Sequence, residues 1–311
     1  MGNLISGLNK ETRVSVCLTI ALLRGLVGFC FILSLLFISS FKSDKPLRAK
    51  KNSLHKPISV IFETDMGNDI DDALALDMLY KYADQGKVNI LAISTNKNSE
   101  YSIQYIDVLN TWYGYPDNYD TIISVGFSTN LARLLDTPAD EFSPLSGKEL
   151  VKKKVKLLSM MAGNFLPGEN KEYNVMKDPD AARKVFAQRP APIVLSPFKI
   201  GMVIHYPASS IQNDFTWTKY HPVAIGFETY RTMPYDSPAW DLTAVLYAIE
   251  GDEGYFDISP SGRISVDENT YTHFQEDKNG MHLYLKINPE LTGKVRARFI
   301  ELITTKPKSQ K

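Results

Sequence analysis

Cysteine is nearly missing from this chain. Of 311 residues only Cys17 and Cys30 carry a thiol, and both lie in an apolar N-terminal stretch. Past that stretch thiol catalysis, zinc–thiolate sites and an internal disulfide are excluded. Net charge is missing too, with 35 basic against 35 acidic residues. The balance is uneven: residues 1–50 hold seven Lys/Arg and two Asp/Glu, which leaves 28 against 33, or net −5, for the remainder. A domain of that sign offers no basic surface for nucleic acid. Histidine is scarce as well, five in all. What is present is a 44 % hydrophobic fraction, ordinary for a globular protein with a sizeable core. The length suits one large domain or two small ones.

Residues 14–41 are strongly apolar, broken by Arg24 and preceded by Lys10 and Arg13. The uncharged run 25–41 is marginal for a spanning helix and long for an export-signal core. Ile38-Ser39-Ser40 offers a cleavage site, and basic residues on both sides (Lys42, Lys45, Arg48) blur the orientation. The expectation for 1–41 is a signal peptide or membrane anchor, with the protein exported and either periplasmic or membrane-anchored. Met1-Gly2 with Ser6 matches a myristoylation pattern, but the apolar run directly behind it makes the match accidental. Residues 42–56 read as a disordered linker.

From Pro57 the chain alternates strand and helix. Strands are expected at Ile58–Phe62, Val88–Ser94, Thr121–Val125, Val155–Met161, Ile193–Leu195 and Val223–Phe227. Helices are expected at Asp72–Asp84, Glu100–Trp112, Ser128–Leu135, Asp178–Gln188 and Leu242–Ile249. The pattern predicts an α/β domain over 57–305, an open, mostly parallel Rossmann-like sheet with helices on both faces. After Gly254 short strands (Tyr255–Ile258, Arg263–Val266, His282–Ile287) predict a small β-rich C-terminal appendage, and 306–311 reads as a frayed tail.

The segment Glu63-Thr64-Asp65-Met66-Gly67-Asn68-Asp69-Ile70-Asp71-Asp72 carries five carboxylates in ten residues, between the first strand and its helix. Helix capping needs one acid, not five. Acids at the carboxyl end of a strand lie where open α/β sheets bind ligands. Such crowding calls for a shared cation, and hard oxygen donors suit Ca²⁺ or Mg²⁺.

This stretch resembles the N-terminal aspartate motif, D-x-D-x-x-x-D-D, of the inosine–uridine nucleoside hydrolase family. Glu63 stands at the first Asp, and the gap from Asp65 to Asp71-Asp72 is longer. Gly126-Phe127-Ser128-Thr129-Asn130-Leu131-Ala132 resembles the family's G-P-L-T-N-x-A turn. Glu172-Tyr173-Asn174 with Asp178-Pro179-Asp180-Ala181-Ala182 resembles its E-F-N…D-P-E-A-A segment, and Trp240-Asp241-Leu242-Thr243-Ala244-Val245 its H-D-P-x-A-V segment. Four motifs in the right order span roughly residues 57–290.

The resemblance implies Ca²⁺-dependent hydrolysis of the N-glycosidic bond of ribonucleosides, through an oxocarbenium-like ribosyl cation that carboxylates stabilise. It implies Asp65, Asp72 and Asp241 as side-chain ligands of Ca²⁺ and Thr129 as a backbone-carbonyl ligand. Asp65 would also take the proton of the attacking water. Asp71 would bind a ribose hydroxyl, Glu172 and Asn174 the 5′ side of the sugar, and Asn96 or Asn98 the ribose as well. Asp69 has no transferable role and reads as a turn or supporting acid. Trp240 replaces a histidine that protonates the leaving base in many members; it could stack on the base or pack beneath the site. A purine preference follows from the stacking alternative. Tyr230 and Tyr235 are weak candidates for a base pocket, and His205 and His221 read as structural. The expected partner is a small nucleoside, with membrane or export machinery for the N-terminal segment; a homo-oligomer is compatible with this reading. A related ribosyl hydrolase and a non-catalytic nucleoside- or sugar-binding protein are the alternatives. A metal-dependent phosphohydrolase is disfavoured, because the acidic turn offers no Lys/Arg or Gly-rich amides for phosphate.

Overall fold

The computed structural model describes residues 56–97, 99–114, 122–165, 171–251 and 253–310. The expectations for 1–55 and for Asn98 fall outside these residues. Among the described residues no helix is long and apolar enough to cross a membrane.

The first strand, β1 (Ile58–Thr64), pairs in parallel with β2 (Val88–Thr95) on one side and with β3 (Ile122–Ser124) on the other. Parallel pairing continues through β4 (Leu158–Met161) to β5 (Ile193–Ser196). All four residues of β4 and of β5 are buried, which is why these strands read as short apolar runs rather than alternations. The sheet order β2-β1-β3-β4-β5 reverses direction at β1. A crevice opens there at the carboxyl ends of the strands, the usual ligand position of such sheets.

The helix after β1, α1 (Asp71–Asp84), is buried from Asp71 through Tyr82. A helix covered on every side must partner its polar groups internally. Lys81 donates to the Thr305 carbonyl (2.6 Å) and lies 3.8 Å from Asp77, which accepts from the Tyr113 hydroxyl. The remaining helices before the site's last element are α2 (Glu100–Tyr113), α3 (Thr129–Asp136), α4 (Gly147–Lys154), α5 (Tyr173–Lys177), α6 (Pro179–Gln188), α7 (Phe198–Val203) and α8 (Ala208–Asn213). Ser146 and Glu149 form a reciprocal cap at the start of α4, so the strand expected from Val155 begins only at Leu158.

One expected strand is a helix. Val223–Phe227 lies inside α9 (Pro222–Tyr230), where Pro222 occupies the first turn. Proline there removes no intrahelical bond, and Val223 and Phe227, four apart, form the buried stripe. A five-residue apolar run does not show its period, and the wrong one was read. Next come the two-residue strands β6 (His205–Tyr206) and β7 (Ser237–Pro238), paired with each other, and α10 (Trp240–Glu250).

The C-terminal strands extend the main sheet. β8 (Asp257–Ile258) and β9 (Gly262–Val266) pair antiparallel with β11 (His282–Lys286), β10 (Thr272–Glu276) pairs with β9, and β11 joins β5 in parallel. A long helix, α11 (Pro289–Thr304), follows behind an Asn288 cap. The tail is not frayed over its described part. Residues 308–310 form a 3₁₀ turn, with the Lys308 N–H on Asp84 (2.7 Å) and the Ser309 hydroxyl on the Trp112 carbonyl (2.9 Å).

Candidate active site

At the reversal of strand order lies a cavity of about 280 Å³. Its walls come from six stretches of the chain. The turn after β1 supplies Asp65, Asn68 and Asp69, and the first turn of α1 supplies Asp71 and Asp72. Val125 follows β3, Met161 ends β4, and Tyr173 and Asn174 open α5. Phe198 opens α7 beyond β5, and Trp240 and Asp241 open α10. One half is therefore acidic and the other apolar.

The acidic half needs sharp local geometry. Gly67 sits at φ +98° and turns the chain from β1 toward α1. At Gly126 a Cβ would come within 2.9 Å of the Asp65 backbone nitrogen and 2.7 Å of the Asn96 amide, so only glycine lets the turns after β1 and β3 approach. Thr64 donates to Asp72 and Asn68 to Asp65. The Asp241 N–H donates to Asp71 (3.1 Å) although the two are 170 positions apart. Asp241 and Asp72 share a carboxyl–carboxyl hydrogen bond.

Burial sets the acidity of this half. It pushes Asp65 and Asp69 up to about 6, against the stabilising amide of Asn68 at Asp65 and the charge of Lys97 at Asp69. Asp72 and Asp241 are held well above the usual carboxylate range by burial and by their acidic neighbours. Such carboxyls hold protons unless a cation replaces them. Oxygen atoms of Asp69, Asp71 and Asp72 lie within 4.8 Å of one another, and among the described residues no Lys, Arg or His lines the cavity. This all-oxygen donor set fits a hard divalent ion.

Of the residues expected from the sequence, Asp65, Asp71, Asp72, Asn174, Trp240 and Asp241 meet in the one cavity. Three others do not line it. Thr129, expected to offer its backbone carbonyl, opens α3 beside the wall residue Val125, and its hydroxyl donates to Asp178. Glu172 is 3 % exposed and caps α5, accepting from the N–H groups of Gly163, Asn174 and Val175. Asn96 lies behind the turn and donates to the Phe127 carbonyl (2.6 Å). There it adjoins Glu63, whose carboxyl burial pushes up to about 7. Glu63 Oε1 and Asn96 Oδ1 are both buried oxygens without a hydrogen-bond partner. Asp69, read as a supporting acid, enters the cavity wall because the longer turn carries it inward. Met161, Tyr173 and Phe198 were missed. Each follows a strand end or opens a helix, a position that the alternating pattern does mark.

Trp240 is held on one face. Its ring stacks on Phe198 (centroids 5.6 Å, planes at 23°), and its Nε1–H donates to the Phe198 carbonyl (3.0 Å). Gly201 leaves room for it, since a Cβ there would come within 2.1 Å of the indole. Tyr235 stacks on Phe227 outside the cavity lining, and the Tyr230 hydroxyl meets the Asn68 carbonyl at 3.3 Å. His221 is buried among Phe215, Trp217, Trp112 and Tyr113, and His205 bonds the Met202 carbonyl. Neither lines the cavity.

The model of the inosine–uridine preferring nucleoside hydrolases matches residues 96–292. The chain belongs to this family. The match begins past the acidic turn, where Glu63 and the longer spacing depart from the family pattern. Nucleoside hydrolases cleave the N-ribosyl bond of ribonucleosides and depend on a metal, and the aspartate cluster can hold one. Among solved structures, the purine-preferring ribonucleoside hydrolase from Gardnerella vaginalis is 14 % identical at TM-score 0.58, covering 79 % of this chain and 99 % of its own. The inosine–uridine preferring nucleoside hydrolase from Bacillus anthracis is 15 % identical at TM-score 0.53, with coverages of 79 % and 99 %. The type III effector XopQ, solved with adenosine diphosphate ribose, is 11 % identical at TM-score 0.53, with coverages of 80 % and 94 %. At these identities the likeness is one of fold. No curated protein matches the chain significantly.

Proposed function

We propose that this nucleoside hydrolase is Ca²⁺-dependent and releases free base and ribose from ribonucleosides. The observation that carries the reading is the meeting of Asp65, Asp72 and Asp241, from two distant strand–helix junctions, in one cavity closed by an aromatic wall. Asp65, Asp72 and Asp241 would hold the ion through their side chains, with the Thr129 backbone carbonyl as the further ligand that the family resemblance implies. A bound Ca²⁺ would orient the ribose diol and a water and make that water more acidic than bulk water. The protein does the rest. Asp65, once ionised, accepts the proton of the attacking water, and Asp71 accepts a hydrogen bond from a ribose hydroxyl. The surrounding carboxylates stabilise positive charge as it develops on the sugar. Asn174, whose amide N–H groups are taken by the Val125 and Met161 carbonyls, would hold the rest of the sugar through its side-chain oxygen, while Trp240 and Phe198 offer a face for the base. Glu172 supports this arrangement by holding the start of α5.

Export or membrane anchoring through residues 1–41 belongs to the same proposal, supported by the uncharged run 25–41. The test is a panel of nucleosides assayed for free ribose, in EDTA and after return of Ca²⁺, Mg²⁺ or Mn²⁺. Ribose release that Ca²⁺ restores best supports the reading. Binding of nucleosides without any ribose release would favour a binding protein that keeps the metal site.

A further inference from the structure

The net −5 of residues 51–311 conceals one basic end. β1, β3 and β4 run in parallel, with Phe62 level with Ile123 and Ile123 level with Ser159. Their amino ends therefore lie at one end of the sheet, and two strand spacings, about 10 Å, separate β1 from β4. Lys56 stands just before β1. Lys152, Lys153, Lys154 and Lys156 stand just before β4, the first three in the last turn of α4. All five are exposed. Among the described residues the lysine ion pairs are those of Lys81, Lys87 and Lys184, so no described acid neutralises these five. The acids at this end are engaged or few. Glu250 is taken by Lys87 and Arg298, and Asp84 accepts from the Lys308 N–H. The stretch entering β3 adds Asp117 and Asp120 in sequence, and five lysines against two aspartates still leave +3.

Connection and charge name the partner. Residues 42–56 join the apolar stretch to the domain and carry six basic residues, Lys42, Lys45, Arg48, Lys50, Lys51 and Lys56, against Asp44. They enter at Lys56, the end of the sheet where the α4 lysines lie, and fifteen residues span at most about 50 Å. A tether of that length turns a weak contact into an intramolecular one. Basic residues just past an apolar run are drawn to anionic headgroups, each strengthening binding about fivefold near the surface. Residues 147–156 contain no aromatic side chain, whereas single-stranded nucleic acid is held by rings on which its bases stack.

Resting on the membrane-anchored form of the reading given above for residues 1–41, we infer that the amino end of the sheet docks on a bilayer of anionic lipid through Lys56, Lys152, Lys153, Lys154 and Lys156. None of the five lines the cavity, which lies at the carboxyl ends of the same strands. The docked domain therefore turns its cavity to solution, where a soluble nucleoside reaches it. Docking sets the orientation of the enzyme and leaves its chemistry alone.

The test uses the full chain in vesicles of phosphatidylcholine, alone or with a third phosphatidylglycerol. Mass spectrometry reads the rate at which an amine reagent labels each lysine. Labelling of Lys152, Lys153 and Lys154 should slow at least fivefold in the vesicles with phosphatidylglycerol and recover in high salt, which screens the attraction. Lys199, exposed just past β5 at the opposite end, should change less than twofold. With Lys152→Glu, Lys153→Glu and Lys154→Glu combined, Lys156 should lose its protection, while flotation with the vesicles persists and the melting curve checks the fold. Equal labelling in both kinds of vesicle overturns the inference and leaves the anchor standing, as does equal slowing at Lys199. Protection by polyuridylate but not by phosphatidylglycerol assigns the patch to nucleic acid and overturns it too. A chain that floats with neither kind of vesicle overturns both the inference and the anchoring beneath it, with nucleoside hydrolysis, read separately as ribose release, untouched.

Discussion

Replacing Asp72 by Asn should make the metal-free protein more stable and the Ca²⁺-loaded protein less so. Asp72 is 2 % exposed, and its oxygen lies within 4.8 Å of those of Asp69 and Asp71. Two unit charges at that distance repel by about 3.5 kcal/mol at an effective dielectric constant of 20. Burial first and acidic neighbours second hold Asp72 high, and the chain relieves part of the cost by keeping protons. Asn keeps an acceptor for the Thr64 hydroxyl but weakens a bond to a charged group by about 1 kcal/mol. The net gain without metal is then about 1–2 kcal/mol at pH 8, and each kcal/mol moves Tm by about 2–4 °C in a domain of this size. With Ca²⁺ at 100 times its Kd the wild type gains about 2.7 kcal/mol, most of which the variant forgoes. The sign with pH follows from the raised values. A carboxyl whose pKa rises on folding costs nothing below its unfolded value near 4, and its cost grows as pH rises toward and through the folded value, which for Asp72 is held well above the usual carboxylate range. The metal-free difference between variant and wild type should therefore vanish near pH 4 and grow as pH rises to 8. Thermal melts of both proteins in EDTA and in Ca²⁺, at pH 4.5 and 8, read all of this. A metal-free variant that melts below metal-free wild type at pH 8 would refute the reasoning and make Asp72 a structural acid.

Three further outcomes are expected. Asp65→Asn should lower ribose release by at least 100-fold while shifting Tm by only a few degrees; equal release rates in variant and wild type would sink the role given to Asp65. Trp240→Ala should cut purine riboside turnover roughly 5- to 150-fold, as expected for about 1–3 kcal/mol of stacking per base, and uridine turnover less; equal losses would mean that the ring only packs. His221, pushed down to about 3 by burial and by the charge of Lys81, refuses a proton that the unfolded chain accepts below about 6.5. Stability should thus fall as pH drops from 6.5 toward 3, at up to about 1.4 kcal/mol per pH unit. His221→Phe should flatten that slope by one proton in denaturant titrations between pH 4 and 6, and an unchanged slope would place the acid sensitivity elsewhere.

What could be read beforehand depended on whether a residue's role is local. The acidic turn was legible because five acids between a strand and a helix have few structural uses. Asp241 was legible only by resemblance, since nothing within its own stretch marks it as a partner of Asp72. Asn96, just past β2, lies behind the turn on the Phe127 carbonyl, and in the turn after β3 it is Val125 that lines the cavity; nothing within either stretch shows which side faces in. Glu172 sits next to two lining residues yet points inward as a cap, a difference of one side-chain direction. The sheet was legible because its strands are buried runs, whereas α9 and α11 owe their form to a proline and a cap rather than to a long apolar period.

The tail has a practical side. Lys308 and Ser309 grip the far ends of α1 and α2, and Lys81 reaches the Thr305 carbonyl from within. The helix clamped in this way is the one whose opposite end presents Asp71 and Asp72. A purification tag fused after Lys311 would tug on that clamp, and a protein tagged there could lose metal affinity without any change in its acids. The exposed loop at residues 138–142, between α3 and α4, is a safer place to attach a handle.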